Sequence, residues 1–445
     1  MMVLPGLFKE YIQTSQNFSI ILYRSKLYFL CLFYCVTVVF NMRLFSAHDE
    51  GLTYAFGHLT TYTSASNTQT YELASASDSK VVGVDINKEL DLLVCAYDNK
   101  WICSYKLSDG SVIHSICLKK CPSAITIASW TEGTVYLVSD KAGELLIVNA
   151  NDFTRQARVG GHTGSIITDI ELMTCANKGQ VQQYLASCDR DEHIRFSQFP
   201  HMCNIESYCV GHQSIITSMS SMLISGGGSA SASASATADS TVLLVSTSWD
   251  HNICLWKCPT GERLDTAANP FKPVAVPADV GADETVEEER QEEEAGDDNE
   301  SERGGDDYHT MKYDREKAVN VPLKVVAASA GSVHVVAVMY RDCAKLHLLS
   351  VRPCADGFEF ARSCIIELQS VPSDICFQTQ ASSNAVPVLL AMMPEPELIV
   401  SYSVTSTAGG LQAVVQPSSA IVTAACKAFK TKGKYIVACC ATYPT

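Results

Sequence analysis

YLASCDRDEHIRFS, from Tyr184 to Ser197, and LLVSTSWDHNICLW, from Leu243 to Trp256, are two versions of one pattern about sixty residues apart. Each has an apolar run of strand length, a tight polar turn and a second apolar run. A Gly-His pair precedes each copy: Gly161-His162 and Gly211-His212. Aligned on the serines, Ser187 falls on Ser246, Asp191 on Asp250, Ile194 on Ile253 and Ser197 on Trp256. Strand-length runs joined by a turn specify a hairpin, and its return at a fixed interval specifies a repeat architecture.

A Gly-His opening, a strand, an Asp turn and a strand closing on Trp make up the WD repeat, one blade of a β-propeller. The Asp250 carboxylate can accept from the backbone and from His212. His212 in turn can reach the Ser246 hydroxyl and the Trp256 indole. Buried polar groups need partners, and one network of His212, Ser246, Asp250 and Trp256 satisfies all of them together. The same residue types also suggest a Ser-His-Asp triad. The repeat spacing explains every member and no oxyanion-hole motif is nearby, so the structural network is the preferred reading. The earlier copy has Ser197 where the later one has Trp256, and an incomplete network is expected there.

The net charge of −15 is unevenly placed. Between Asp279 and Asp307 fifteen acidic residues face two basic ones, Arg290 and Arg303, a net of −13; the remainder of the chain carries only −2. The folded part is therefore close to neutral, and the overall charge says little about its partners. The nineteen cysteines are scattered, form no C-x-x-C pair and fit reduced thiols better than disulfides or zinc. Leu27 to Phe40 is an apolar run preceded by Arg24 and Lys26. It is short for a spanning helix and is followed by no A-x-A site. Three readings stay open for residues 1–41: an upstream start with Met42 as the natural first residue, a membrane or targeting segment, and a buried apolar arm.

From Met42 the chain reads as blades. Leu44 to Phe56 supplies one or two strands, and Thr60 to Ser79, rich in Ser, Thr and Asn, reads as a loop. Val81 to Cys117 and Ile125 to Val159 form two full blades, followed by the two copies above. Gly226 to Ser240 interrupts the later copy between its first and second strands as a low-complexity insert. The chain leaves the fold after Leu264, and the acidic stretch that follows reads as disordered. Strands resume at Val321 for two more blades, and a last blade is completed by pairing Ala420–Ala425 and Tyr435–Cys440 with Leu44–Phe56. The expected fold is all-β, a seven-bladed WD-repeat propeller. Its parts are an apolar extension (1–41), a first set of blades (42–266), an acidic insert (267–318) and the remaining blades (319–445).

Several stretches are more specific than a generic repeat. They are Lys119-Lys120-Cys121-Pro122, LVSDKAGE at Leu137–Glu144 and GHTGSIITDIEL at Gly161–Leu172. ASCDRDEHIRFS at Ala186–Ser197 is followed by Pro200-His201 and by IESYCVGH at Ile205–His212. With these, Lys119 to Trp256 resembles the WD-repeat, non-catalytic subunit of the tRNA (guanine-N(7)-)-methyltransferase complex. Members of that family usually have Lys where this chain has His193, and His carries its charge only in part at neutral pH.

The resemblance implies a scaffold for a catalytic methyltransferase subunit, paired as a heterodimer, with S-adenosylmethionine on the partner and no cofactor here. It implies tRNA bound through the complex, no membrane role and a nuclear location, with the cytoplasm as a second. It makes the hairpin Asp189, Arg190, Asp191, Glu192, His193 and Arg195 the partner-binding candidate. Composition alone favours a solvated turn. Asp189, Glu192 and Arg195 are the candidates for cross-subunit or hairpin-bracing ion pairs, with Arg195 pairing Asp191 or Glu192. Lys119, Lys120 and Lys141 are candidates for tRNA phosphates, beside the reading that they are ordinary solvated lysines. No P-loop, H-E-x-x-H or kinase set is present, and Gly226-Gly227-Gly228 does not open a helix after a strand. A general WD-repeat adaptor and a membrane-tethered propeller are the alternatives.

Overall fold

The computed structural model describes residues 45–416 without 225–239, 272–319 and short connections (49–50, 57–58, 65–67, 73–78, 88–89, 131–132, 152, 154–155, 178–179, 379–385, 394–398 and 408–409). The apolar run at 27–40, the low-complexity insert, the acidic stretch and the strands expected at 420–440 lie outside the described residues. Among the described residues no helix is long and apolar enough to cross a membrane.

Among the described residues twenty-eight strands form seven antiparallel four-stranded blades, numbered I to VII from the amino end. Blade I is β1 (Phe45–His48), β2 (Gly51–Phe56), β3 (Leu59–Ser64) and β4 (Thr68–Glu72). Blade II is β5 (Val81–Asn87), β6 (Leu92–Tyr97), β7 (Trp101–Lys106) and β8 (Val112–Cys117). Blade III is β9 (Pro122–Trp130), β10 (Gly133–Asp140), β11 (Glu144–Asn149) and β12 (Gln156–Gly161). Blade IV is β13 (Ile167–Asn177), β14 (Gln180–Asp189), β15 (Ile194–Gln198) and β16 (Ile205–Cys209). Blade V is β17 (Ile216–Ile224), β18 (Thr241–Ser248), β19 (Asn252–Lys257) and β20 (Glu262–Ala268). Blade VI is β21 (Pro322–Ala330), β22 (Val333–Tyr340), β23 (Lys345–Cys354) and β24 (Gly357–Glu367). Blade VII is β25 (Asp374–Gln378), β26 (Val388–Met392), β27 (Ile399–Thr407) and β28 (Gly410–Gln416).

The first strands of blades II to VII touch in succession, β25 touches β1, and blade I meets blade II through β2 and β5. Side chains lock several of these seams. Asp85 accepts from the backbone of Ile127, and Asp169 from Met219. Ser218 accepts from Val325, and the buried Lys324 pairs with the buried Asp374. The ring closes where β1 meets β25 in a parallel bridge, Ala47 to Gln378. Apolar clusters fill the spaces between blades, as at blades IV and V, where Tyr184, Phe196, Met219 and Trp256 share one core.

Three expectations are corrected. Thr60–Ser79 is not a loop throughout, because Leu59–Ser64 and Thr68–Glu72 pair as the outer half of blade I. Thr is a good strand residue, and Thr60, Thr61 and Thr63 are buried there. Among the described residues blade I is accordingly drawn from four consecutive strands at 45–72, where one or two were expected from Leu44–Phe56. Blade V continues to Ala268, beyond Leu264, because Asn252 and Ile253 pair with Ala268 and Ala267.

In an antiparallel meander, the connection into each first strand and the turn between second and third strands lie on one face. This face is called upper here. The other turns, including the break between β17 and β18, lie on the lower face. Backbone bonds from Lys141 to Cys121, Arg190 to Ile166 and Trp249 to Ile215 tie the two kinds of upper loop together.

Candidate functional site

The two sequence copies are the adjacent blades IV and V. In blade V the Nδ1–H of His212 donates to Asp250 at 2.9 Å, and its Nε2 lies 2.7 Å from the Ser246 hydroxyl. The Trp256 indole donates to the same hydroxyl at 2.7 Å. The indole thus reaches the serine rather than the imidazole, against which it packs edge-on at 6.0 Å. Trp256 is fully buried. Burial opposes charge on His212, but the bond to Asp250 outweighs it and pushes the imidazole up to about 9. Burial would raise Asp250, yet the His212 bond holds it below the usual carboxylate range.

Blade IV keeps the histidine and serine but not the aspartate that the alignment assigns. The Nδ1 of His162 meets Asp189, not Asp191, at 2.7 Å, and its Nε2 meets the Ser187 hydroxyl at 2.7 Å. The other oxygen of Asp189 accepts from the backbone of Asp191 and His193, each at 2.9 Å. Asp140 does the same for Ala142 and Glu144 in blade III. This carboxylate closes the turn from the strand end, two residues before the position that counting from the serine selects. Asp189 is 2% exposed, so it is a bracing group and not part of the rim. Burial lowers His162, and the nearby Arg195 adds to the effect, leaving the imidazole neutral at pH 7. Ser197, at the position of Trp256, is buried with its hydroxyl unpartnered.

Each Gly before the histidine has a physical reason. Its backbone lies in a region other residues avoid, and a Cβ on Gly161 would stand 2.3 Å from the Gly143 carbonyl. A Cβ on Gly211 would meet the Arg263 guanidinium at 2.5 Å and the rim of the Trp256 ring. Both Ser-His-Asp sets are closed in by the blades. His162 and His212 are 4% and 5% exposed, which denies a substrate access and makes the sets structural.

The charged turn lies on the exposed upper outer rim of blade IV. Arg190 approaches Asp191 at 3.8 Å, with both side chains largely in water. Glu192 and His193 are exposed, and Glu192 holds a left-handed φ of 76°. Arg195 does not pair with Asp191 or Glu192, as expected from sequence, among the described residues. Its Nη1 donates to the Gly161 carbonyl at 2.6 Å, and its guanidinium lies 5.6 Å from the Tyr208 ring centre. The register explains this, because Arg195 stands opposite Ser187 on one side and Tyr208 on the other. Sequence reasoning missed the apolar half of this rim. Tyr208 is 45% exposed and Val210 78%, beside the charged turn. Both fall in the IESYCVGH stretch, where an exposed outer strand is the only signal that could have singled them out.

Lys119 and Lys120 stand on the upper connection from β8 to β9, and Lys141 on the upper turn from β10 to β11. Blades III and IV are neighbours, so these lysines share a face with the charged turn. No cluster of His, Cys, Asp or Glu suited to a metal occurs among the described residues.

Comparison with known proteins gives a consistent picture. The family model of the tRNA methyltransferase TRM82 WD40 domain matches residues 148–413. The tRNA (guanine-N(7)-)-methyltransferase non-catalytic subunit TRM82 of Saccharomyces cerevisiae is 25% identical over 187 residues, 40% of this chain and 37% of that protein. The corresponding subunit wdr4 of Dictyostelium discoideum is 37% identical over 108 residues, 24% of this chain and 18% of its own. The subunit wuho of Drosophila pseudoobscura pseudoobscura is 30% identical over 148 residues, 33% of this chain and 31% of its own. The chain thus spans well under half the length of these relatives. A chain of a mitotic checkpoint complex crystal structure has a TM-score of 0.49 at 10% identity, covering 79% of this chain and 86% of that one.

Proposed function

The chain belongs to the tRNA methyltransferase TRM82 WD40 family, and from that membership we propose that it is a non-catalytic subunit. It binds and steadies a catalytic methyltransferase that forms 7-methylguanosine in the variable loop of tRNA. The partner, as a heterodimer, carries S-adenosylmethionine and the chemistry, and this chain contributes orientation. Its location in this reading is the nucleus.

The observation that carries the docking assignment is the rim of blade IV. Asp189 and Arg195 are engaged inward, so the turn they brace is preorganised and little ordering remains to be paid on binding. Asp191, Glu192 and His193 point to water, and Tyr208 and Val210 form an apolar centre beside them. An apolar anchor within a polar rim is the usual anatomy of a protein interface. Lys119, Lys120 and Lys141 then lie on the side from which tRNA phosphates approach, and their contribution falls with salt.

The test is capture of the full chain with its partner, followed by a tRNA methylation assay of the eluate. The variants are Val210→Asp and the pair Asp191→Lys with Glu192→Lys. Loss of the methyltransferase from the eluate with an unchanged melting temperature supports the reading. Full retention by both variants overturns the placement of the interface. A folded parent chain that captures no methyltransferase overturns the function itself and leaves a general adaptor.

A further inference from the structure

Each blade ends on an outer strand that, among the described residues, no further strand pairs. Such an edge presents unpaired N–H and C=O groups, and proteins blunt it with charge or with a bulge that twists it away. The outer strands of blades I, III, IV, V and VI contain Glu72, Arg158, Glu206, Glu262 and Glu359. The ladder onto the outer strand is also interrupted by a register shift in blades II to VI. β8 of blade II is uncharged, but its ladder is shifted between Ser104 and Tyr105. Among the described residues only β28 of blade VII has neither device. Its sequence, GLQAVVQ, holds no Asp, Glu, Lys or Arg, and it pairs with β27 without a break from Gly410 to Gln416.

The edge is also apolar. Val414 is 54% exposed and Val415 62%. Successive residues of a strand point to opposite faces, so neither face is covered at this end. The neighbouring β24 exposes Ile365 as well. The strand itself is held in place. Leu411 packs into the core shared by blades VI and VII, and the Gln416 amide donates to the Ser403 hydroxyl of β27 at 2.7 Å. A regular, neutral, apolar edge of this kind is a template for another strand.

The residues of β28 select the occupant. Gln412-Ala413-Val414-Val415-Gln416 runs nearly the same in both directions. An antiparallel pair of two copies centred on Val414 sets Val414 opposite Val414, Ala413 opposite Val415 and Gln412 opposite Gln416. A charged strand brings its charge into a two-fold pair twice, and β28 brings none. Such a pair uses the same edge of both copies and therefore closes.

We propose that two copies of this chain join through β28, with their blade VII sheets continuing into each other across a two-fold axis. Blade IV lies three blades away around the ring, so its rim stays free in the dimer. The pairing does not depend on the function proposed above. Where both hold, the assembly contains two chains and two partners.

The test is the mass of the purified full chain, without its partner, by sedimentation over a range of concentrations. A dimer is expected. Val414→Lys sets two cations opposite each other and should weaken association by about tenfold with the melting temperature unchanged. Val414→Cys gives a second readout. Facing Cα atoms of an antiparallel pair lie within disulfide range, so mild oxidation should link two copies of this variant. Gln412→Cys stands about 14 Å from its own copy and should behave as the parent, whose own thiols set the background. A parent that is monomeric at every concentration overturns the proposal. Removal of 417–445 then separates the other occupants: a dimer that appears only in the shortened chain gives the edge to the carboxyl end of the chain itself, and none leaves it to a different protein. A dimer that survives Val414→Lys and forms no link at Val414→Cys overturns the placement at β28.

Discussion

Blades IV and V place a histidine, a serine and an aspartate in the same bonding pattern, yet the two histidines titrate in opposite directions. In blade V the Trp256 indole donates to Ser246, and the bond to Asp250 outweighs burial and holds His212 protonated. In blade IV the Trp is absent. Arg195 reaches to the Gly161 carbonyl beside the histidine, and its charge helps to keep His162 neutral. The blade without Trp is also the one with exposed charge at its rim and an unpartnered buried hydroxyl at Ser197. A repeat optimised for packing and a repeat adapted to contact therefore stand side by side. Ser197 stands where blade V has Trp256, and Arg195, two residues earlier, braces the Gly161 carbonyl and reaches the exposed Tyr208 ring.

The largest expected effect breaks blade V. Trp256→Ala removes a fully buried ring and the donor to Ser246, and should destabilise the protein by about 4 kcal/mol in chemical unfolding. The same scan at Ser197 has nothing comparable to lose. Next comes the pair Asp189→Ala and Asp191→Ala. The first orphans two backbone N–H groups and His162, and should cost about 3 kcal/mol. The second should leave stability within about 0.5 kcal/mol, because Asp191 is an exposed side chain. Equal losses would return Asp191 to the role of the turn aspartate.

The opposite titrations give opposite pH windows. His212 is raised, so its contribution is complete below pH 6.5 and is lost as pH rises through about 9. His162 is lowered, so its contribution is complete above pH 6.5 and is lost as pH falls below that value. Thermal melts from pH 5 to 10 should show losses on both flanks, the alkaline one on the order of 2 kcal/mol. His212→Gln should flatten the alkaline flank, and His162→Gln should flatten the acid flank. If either variant flattens the other's flank, the assignment of the two networks is reversed.

Much of this architecture is readable from residue pattern, because apolar runs and polar turns alternate cleanly from Val81 to Leu264. Where reading fails, the cause is local. Leu59–Ser64 pairs as a strand although its side chains are mostly hydroxylated, since Thr packs well on a half-buried sheet. The aspartate of blade IV is misplaced by counting, because Asp189 and Asp191 are both available and only backbone geometry decides which carboxylate faces His162. Arg195 has two nearby carboxylates in sequence, but the strand register turns it to Gly161 and Tyr208 instead. The exposure of Tyr208 and Val210 depends on β16 being the outer strand of its blade, which follows from sheet order and not from composition.

Ser197→Ala sharpens the comparison at a smaller scale. The substitution deletes a buried hydroxyl with no partner and should stabilise the chain by about 1 kcal/mol, whereas Ser246→Ala breaks bonds to His212 and Trp256 and should destabilise it.

The smallest effect on stability has the most to say about contact. Glu192 occupies the last position of its turn with a φ of 76°, where blade III has Gly143 with a φ of 83°. A glutamate there works against its own Cβ, and a glycine does not. Glu192→Gly relieves that strain but loosens the unfolded chain, and the two terms nearly cancel, leaving stability within about 0.5 kcal/mol of the parent. The substitution therefore removes one rim charge with the fold intact. If the rim of blade IV docks a partner, capture of the methyltransferase should weaken by about tenfold while the melting temperature holds. If capture is unchanged, the strained glutamate serves neither fold nor contact, and the interface must be centred on Tyr208 and Val210 instead.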